Sequence, residues 1–244
     1  MISRDTSDAI IKFLDYVYSS VDEKGSTIAV YLDFSKAFHA VNHEIFMSKL
    51  QHNGVRGVML SWFMSYLSNR KQYVSLKNIS SSMSNITLGV LLGSMLGPVF
   101  FLLYVNDMHR SSDPMRFVHF ADDTTVFASD NDTNNVHASV NRELVGVYHW
   151  LKTNKLSLNV SKTFYMIISN QKNALDIKIR ETILTKFSTV KFLGVTLDEN
   201  LTIKDHVNKV TSNISKSVVV LRGLHWELPA NVMVKLYYSL GIPI

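Results

Sequence analysis

Apolar positions recur along this chain in two periods, and the switches between them predict its elements. Over residues 7–23, Ile10, Phe13, Leu14, Val17 and Val21 share one helical face, with Thr6 or Ser7 placed to cap the start. Residues 27–34, TIAVYLDF, drop that period for β-branched and aromatic types, which predicts a buried strand. Helices are expected over 35–51 and 58–67, then a strand pair over 72–77 and 84–90 joined by a Ser/Asn-rich stretch. Gly97-Pro98 opens a helix expected to run from Leu96 to Met108, because proline fits the first turn. Two β-rich runs around Ala121-Asp122-Asp123 predict a hairpin with acids at its tip. Val136, Val140, Leu144, Val147 and Leu151 form the stripe of a helix over 133–151. Strands are expected over 163–169 and 189–197. An amphipathic helix carrying Ile203, Val207, Val210, Ile214, Val218 and Leu221 follows, then a last helix over 229–240.

Alternating helices with antiparallel strand pairs predict an α+β fold, an antiparallel sheet with helices packed on one face and a helical C-terminal segment. At 244 residues, 46% hydrophobic and 18% charged, the chain can bury a real core. Residues 86–105 carry no charge and match the length of a membrane span. Gly89, Gly93, Gly97 and Pro98 interrupt that run, so it reads as a turn leading into a helix. The first residues, MISRDTSDAI, lack the apolar core of a signal peptide, so secretion is not expected. A net charge of +5 favours an anionic partner without specifying one. Trp62, Trp150 and Trp226 are expected in the core or under the terminal helices.

The candidate chemistry lies in three acids. Asp122 and Asp123 are adjacent and flanked by Phe117, Val118, Phe120, Val126 and Phe127. Burying either carboxylate unpaired is costly, and two side by side repel. A divalent cation is the expected neutralising group, while a solvated turn is the competing reading of the dipeptide alone. Asp33 ends the apolar run 28–32 at a strand-to-helix corner. A strand-end acid and a hairpin-tip pair can meet at one sheet edge, the arrangement that two-metal phosphoryl transfer uses. The chain has no cysteine, and its nine histidines show no ligand spacing. Oxygen donors alone favour Mg²⁺ over zinc, with Mn²⁺ an acceptable substitute.

Five segments, in order, carry a family resemblance: YLDFSKAF (31–38), LGVLLGSMLGPVFFLLYVNDM (88–108), FADDTTVF (120–127), LSLNVSKTFYMI (156–167) and VKFLGVTLDENLTIKDHV (190–207). Together they resemble the palm motifs of reverse transcriptases of non-LTR (LINE- and jockey-like) retrotransposons. The resemblance implies an RNA-directed DNA polymerase palm that takes an RNA template, a DNA primer and deoxynucleoside triphosphates, in the nucleus or cytoplasm. It implies that Asp33, Asp122 and Asp123 hold the metal and that the backbone around Phe34 faces metal and triphosphate. It implies that Phe38 lies under the incoming sugar and excludes a ribose 2′-hydroxyl, and that Gly93 lets backbone approach the nucleotide. Lys162 would neutralise the triphosphate or give a proton to pyrophosphate, and Phe192, Leu193 and Gly194 would support the primer end. The expected organisation is a leading helix over 1–26, the palm over 27–185, and primer-grip-like strands with the start of thumb-like helices over 186–244.

Three departures from the family pattern stand out. Leu91-Leu92 replaces the usual Pro-Gln before Gly93, and leucine cannot supply the amide's hydrogen bonds. That loss should cost about 1–3 kcal/mol in transition-state binding, or roughly 5–150-fold in rate. His39 stands where an aspartate is usual. The basic fingers that normally precede the first helix are reduced to Arg4, and no DNA-cutting domain is present, so a fragment of a longer element is expected. The alternative reading is a catalytically decayed relic that binds nucleic acid without polymerising.

Overall fold

The computed structural model describes residues 6–77, 79–91, 93–169 and 175–240; Arg4 and Leu92 lie outside the described residues. The chain divides after Ser188 into two compact units. In the first, helix α1 (Thr6–Asp22) leads into strand β1 (Ser26–Leu32). A short 3-10 turn (Ala37–His39) precedes α2 (His43–His52) and α3 (Gly57–Leu67). Four two-residue strands follow, β2 (Lys71–Gln72), β3 (Ser75–Leu76), β4 (Ile79–Ser80) and β5 (Ser84–Asn85), then α4 (Leu96–Val105) and a 3-10 stretch (Asn106–Ser111). Strands β6 (Arg116–Phe120) and β7 (Asp123–Asp130) form the acid-tipped hairpin ahead of α5 (Thr133–Thr153) and β8 (Phe164–Ile168). The short strands β9 (Lys178–Ile179), β10 (Thr182–Ile183) and β11 (Thr185–Lys186) close this unit. The second unit holds the hairpin β12 (Thr189–Phe192) and β13 (Val195–Asp198) with helices α6 (Lys204–Leu224) and α7 (Ala230–Leu240).

The central sheet runs β11-β8-β1-β7-β6. Every pairing in it is antiparallel except β11 against β8. Strand β1 lies in the middle and is buried along its whole length, so its alternate side chains enter two different layers. Ile28, Val30 and Leu32 join the main core with Val126 and Ala128 of β7, Phe46 and Leu50 of α2, Phe100, Phe101 and Tyr104 of α4, and the α5 stripe from Val136 to Leu151. On the reverse face Phe13 of α1 meets Phe127 edge-on at 5.0 Å. The expected α+β architecture is therefore present, with α1 added as cover for the second face. Lys49 ties the helical layer together: it pairs with Asp107, donates to the Tyr104 carbonyl at 2.7 Å and lies 4.5 Å from the Trp150 ring centroid. Burial pulls its ammonium below the usual lysine range, and the Asp107 contact partly offsets this.

Several local expectations change. The single helix over 35–51 is broken, because Lys36 takes a left-handed φ of 52° and the chain turns before Asn42 caps α2 through the Ile45 amide. The strand pair over 72–90 becomes two nested ladders, β2 with β5 and β3 with β4. All four strands are exposed on both faces, so no buried layer extends them. The span 189–197 folds back on itself at Leu193 and Gly194, both at positive φ as a two-residue hairpin turn favours. The helix opened by Gly97-Pro98 stops at Val105 and tightens into 3-10 geometry. Trp226 is 90% exposed and Trp62 is 50% exposed, so only Trp150 packs against the core as expected.

Phe100, 1% exposed, sits where α2, α3 and α4 meet, with the rings of Phe46, Phe63 and Tyr66 all within 5.5 Å of its own centroid. Phe100→Ala is expected to cost about 3–5 kcal/mol, read as a lower urea midpoint with an unchanged slope.

Candidate active site

The site is assembled by strand register. Strand β1 pairs with β7 from Ser26 opposite Asp130 to Leu32 opposite Thr124. The ladder ends there: Asp33 follows Leu32 and Asp123 precedes Thr124, so the two acids stand at the same end of the paired strands. The β6–β7 hairpin closes with Phe120 opposite Asp123, which leaves Ala121 and Asp122 as the two-residue turn. Ala121 adopts a left-handed φ of 50°, the conformation that the first position of such a tight turn demands. An acid at a strand end and two at a hairpin apex, distant in sequence, therefore meet at one edge.

The acids are not buried as the flanking apolar residues suggested. Asp122 and Asp123 are exposed and Asp33 is half-buried. The hairpin tip projects past the core, while Phe117, Val118, Val126 and Phe127 are buried below it. Their proximity shows in electrostatics instead. The Asp123 carboxyl is pushed above the usual carboxylate range, first by partial desolvation against the hairpin, then by the charges of Asp122 and Asp33. Among the described residues no three His, Asp or Glu side chains stand close enough to enclose a metal ion by themselves. Mg²⁺ rarely uses such a cage; it takes one or two carboxylates and completes its shell with water and substrate phosphate. A half-open set of mutually repelling oxygen donors fits that chemistry.

The remaining candidates surround this edge or lie apart from it. Phe34 is 7% exposed with its ring in the core, so only its backbone can face a ligand. Phe38 is half-buried, 5.3 Å from the Phe101 ring centroid, and its carbonyl accepts from the Val90 amide at 2.8 Å. Gly89 makes that approach possible, since a Cβ there would lie 2.8 Å from the His39 Cα. His39 lines a cavity of about 430 Å³ with Arg70, Asn85, Leu88, Gly89 and Leu91. Gly93 lies just beyond at φ 80°, with open space around it. Lys162 is exposed in a turn whose first residue, Asn159, donates its amide to the Asp33 carbonyl at 2.8 Å. Phe192, Leu193 and Gly194 belong to the second unit, at the turn of the β12–β13 hairpin, with Phe192 buried.

Two features of the site escape sequence reading. His119 is 1% exposed, directly opposite Thr124, with Nδ1 3.0 Å from the Thr124 hydroxyl and no hydrogen-bond partner at Nε2. Burial pushes its imidazole down to about 3, so it is neutral behind the acid pair. The backbone contacts of Asp33 with Asn159 and Thr163 are the second feature, since nothing local in the sequence announces them.

The raised Asp123 carboxyl has a thermodynamic consequence. Its folded value exceeds the unfolded one, so the folded state binds the proton more tightly. The associated stability is present below the unfolded value near 3.8 and is lost as pH rises through the folded one. Asp123→Asn should therefore melt higher than the parent at neutral pH, with the gap closing near pH 4. Magnesium should raise the parent's melting temperature more than the variant's, as checked by thermal unfolding across pH.

Known proteins resemble this chain in sequence and in fold. Across residues 3–197 the chain matches the family described as reverse transcriptase (RNA-dependent DNA polymerase). It is 26% identical over 232 residues to a probable RNA-directed DNA polymerase from transposon BS of Drosophila melanogaster, covering 90% of this chain and 25% of that protein. It is 21% identical to the RNA-directed DNA polymerase from mobile element jockey of the same species, covering 99% of this chain and 28% of that protein. The chain thus spans about a quarter of the length of these relatives. Among solved structures, telomerase from Candida albicans in complex with a fragment of telomeric RNA matches with a TM-score of 0.60 at 13% identity, over 98% of this chain and 48% of that one. Telomerase from Candida tropicalis matches with a TM-score of 0.60 at 11% identity, over 83% of this chain and 33% of that one. Shared sequence over most of its length and a shared fold place the chain in the reverse transcriptase family, among those of non-LTR retrotransposons.

Proposed function

We propose that this chain is the polymerising palm of an RNA-directed DNA polymerase, joining deoxynucleotides to a DNA primer on an RNA template. The observation that carries the reading is the meeting of Asp33 with the Asp122–Asp123 apex, where both neighbouring charges add to desolvation in raising the Asp123 carboxyl. In the reaction the primer 3′-hydroxyl oxygen bonds to the α-phosphorus as the bridging oxygen leaves with pyrophosphate. Bound Mg²⁺, or Mn²⁺ in its place, would lower the pKa of that hydroxyl and stabilise the charge developing on the leaving group. Asp33 and Asp122 would be the main ligands with Asp123 beside them, supported by the hard, half-open donor set.

The other roles follow from placement and chemistry. The half-buried Phe38 ring, held by Phe101 and by the Val90 amide, would fill the space a ribose 2′-hydroxyl needs. The Phe34 backbone would face the metal and triphosphate, and Gly93 would let backbone approach the nucleotide. Lys162, exposed in the turn that contacts the Asp33 backbone, would neutralise triphosphate charge and protonate pyrophosphate. The first unit would be the palm with its leading helix, and the second the primer-supporting strands, Phe192 to Gly194, with thumb-like helices. An anionic partner also suits the charge pattern. No Asp or Glu occurs between Glu44 and Asp107, and Arg56, Lys71 and Lys77 in that stretch are exposed. A binder without polymerase chemistry gains no support, since all three acids are retained at one edge.

Extension of a primed RNA template measures the activity directly. Asp33→Asn and Asp122→Asn should each remove about 4 kcal/mol of charge stabilisation, roughly 10³-fold in rate. Lys162→Ala should cost about 10²-fold. Leu92→Gln should raise the rate roughly 5–150-fold by restoring a donor and acceptor. Equal synthesis by the parent and the Asp33→Asn variant would overturn the reading.

A further inference from the structure

Strand β1 ends one residue before the acid that matters most. Its ladder with β8 reaches only Tyr31 opposite Phe164, and its ladder with β7 ends at Leu32 opposite Thr124. Asp33 therefore has no neighbour in either ladder to fix its peptide groups. A carboxylate aimed from an unpaired strand end would swing with its backbone, and catalytic groups must be held to within about half an ångström.

The segment 157–163 supplies the missing partners. The Asp33 amide donates to the Thr163 hydroxyl at 3.2 Å. The Asp33 carbonyl accepts from the Asn159 amide at 2.8 Å. The Thr163 hydroxyl spends its own hydrogen on the Asn159 carbonyl at 3.0 Å, which leaves its lone pairs for Asp33. The Asn159 carbonyl also accepts from the Thr163 amide at 2.9 Å and the Lys162 amide at 3.1 Å, closing a tight turn. On either side, Phe34 bridges Leu158 and the Ser35 amide donates to the Ser157 carbonyl at 2.8 Å. Thr163 is 1% exposed, so water does not compete for its hydroxyl.

We propose that Thr163 and Asn159 form a backbone clamp that aims Asp33 and, through the turn they close, sets Lys162 at a fixed offset from it. Thr163 is a positioning residue: it touches the Asp33 backbone, not the reacting atoms. The hydroxyl performs two tasks at once, because it must donate to Asn159 in order to present its acceptor side to Asp33. One turn thereby registers the metal-holding carboxylate on one side of the reaction against the proton-donating lysine on the other. The catalytic consequence rests on the polymerase reading above, whereas the clamp itself does not.

Thr163→Val keeps the shape and deletes the hydroxyl, and Thr163→Ser keeps the hydroxyl. Two readouts separate the clamp from the polymerase reading. Hydrogen exchange reports the clamp: in Thr163→Val the Asp33 amide should exchange at least about tenfold faster, while the amides of residues 28–31 keep their protection. Primer extension reports its use: Thr163→Val should lower kcat about 10–100-fold with little change in KM for the nucleotide, and Thr163→Ser should stay within about threefold of the parent. If Thr163→Val does not fold, Thr163→Cys serves, since its thiol is a poor acceptor of similar size. Unchanged Asp33 exchange in the hydroxyl-deleted variant would overturn the clamp. Equal kcat losses in the serine and valine variants would overturn its positioning role. A parent chain that extends no primer while Asp33 exchange still responds to Thr163→Val would sink the polymerase reading and leave the clamp standing.

Discussion

The pairing of β1 with β7 is the constraint on which the rest of the site depends. Seven consecutive pairs lock the two strands, and because side chains alternate with period two, a slip of one residue would send Asp33 to the opposite face from Asp123. What prevents the slip is the core beneath. Ile28, Val30 and Leu32 must face the same layer as Val126 and Ala128, while Ala29 and Phe127 must face α1. The hydrophobic pattern therefore sets the position of the charges: apolar burial specifies the register, and the register delivers the acids to one edge.

That edge stores electrostatic repulsion that the protein alone does not relieve. No cation of the chain pairs with Asp33, Asp122 or Asp123 in any ion pair among the described residues, and the Asp123 carboxyl is raised by partial desolvation and then by its two neighbours. A site selected purely for stability would have placed a lysine or arginine there. The reverse of the hairpin is treated in the opposite way. His119 is buried and held neutral against Thr124, so the acids are backed by apolar and uncharged polar groups. Charge is thus confined to the solvent side.

Much of this was legible in the sequence, and the failures share a cause. The stripes of α1 and α5, the strand around Ile28 to Leu32 and the hairpin with acids at its tip all follow from local periodicity, and the structure contains them. The break at Lys36 and the nested ladders of 71–85 do not, because they depend on what packs around them. The reversal at Leu193-Gly194 carried a signal in its glycine, yet the flanking β-rich residues read as one strand. The exposure of Asp122 and Asp123 does not follow from their apolar neighbours in sequence, because a hairpin apex leaves its core behind. The Thr163 contact spans 130 residues of chain and has no local signature at all.

The central claim is that Asp33 and the hairpin acids act as one cation-holding unit. A double-mutant cycle on Mn²⁺ affinity, read by the paramagnetic resonance of free manganese with Asp33→Asn, Asp123→Asn and the double variant, tests it most directly. Shared coordination predicts that either single change removes most of the binding and that the double variant is little worse than the weaker single. Independent, multiplying losses, or affinity indifferent to residue 33, would contradict it.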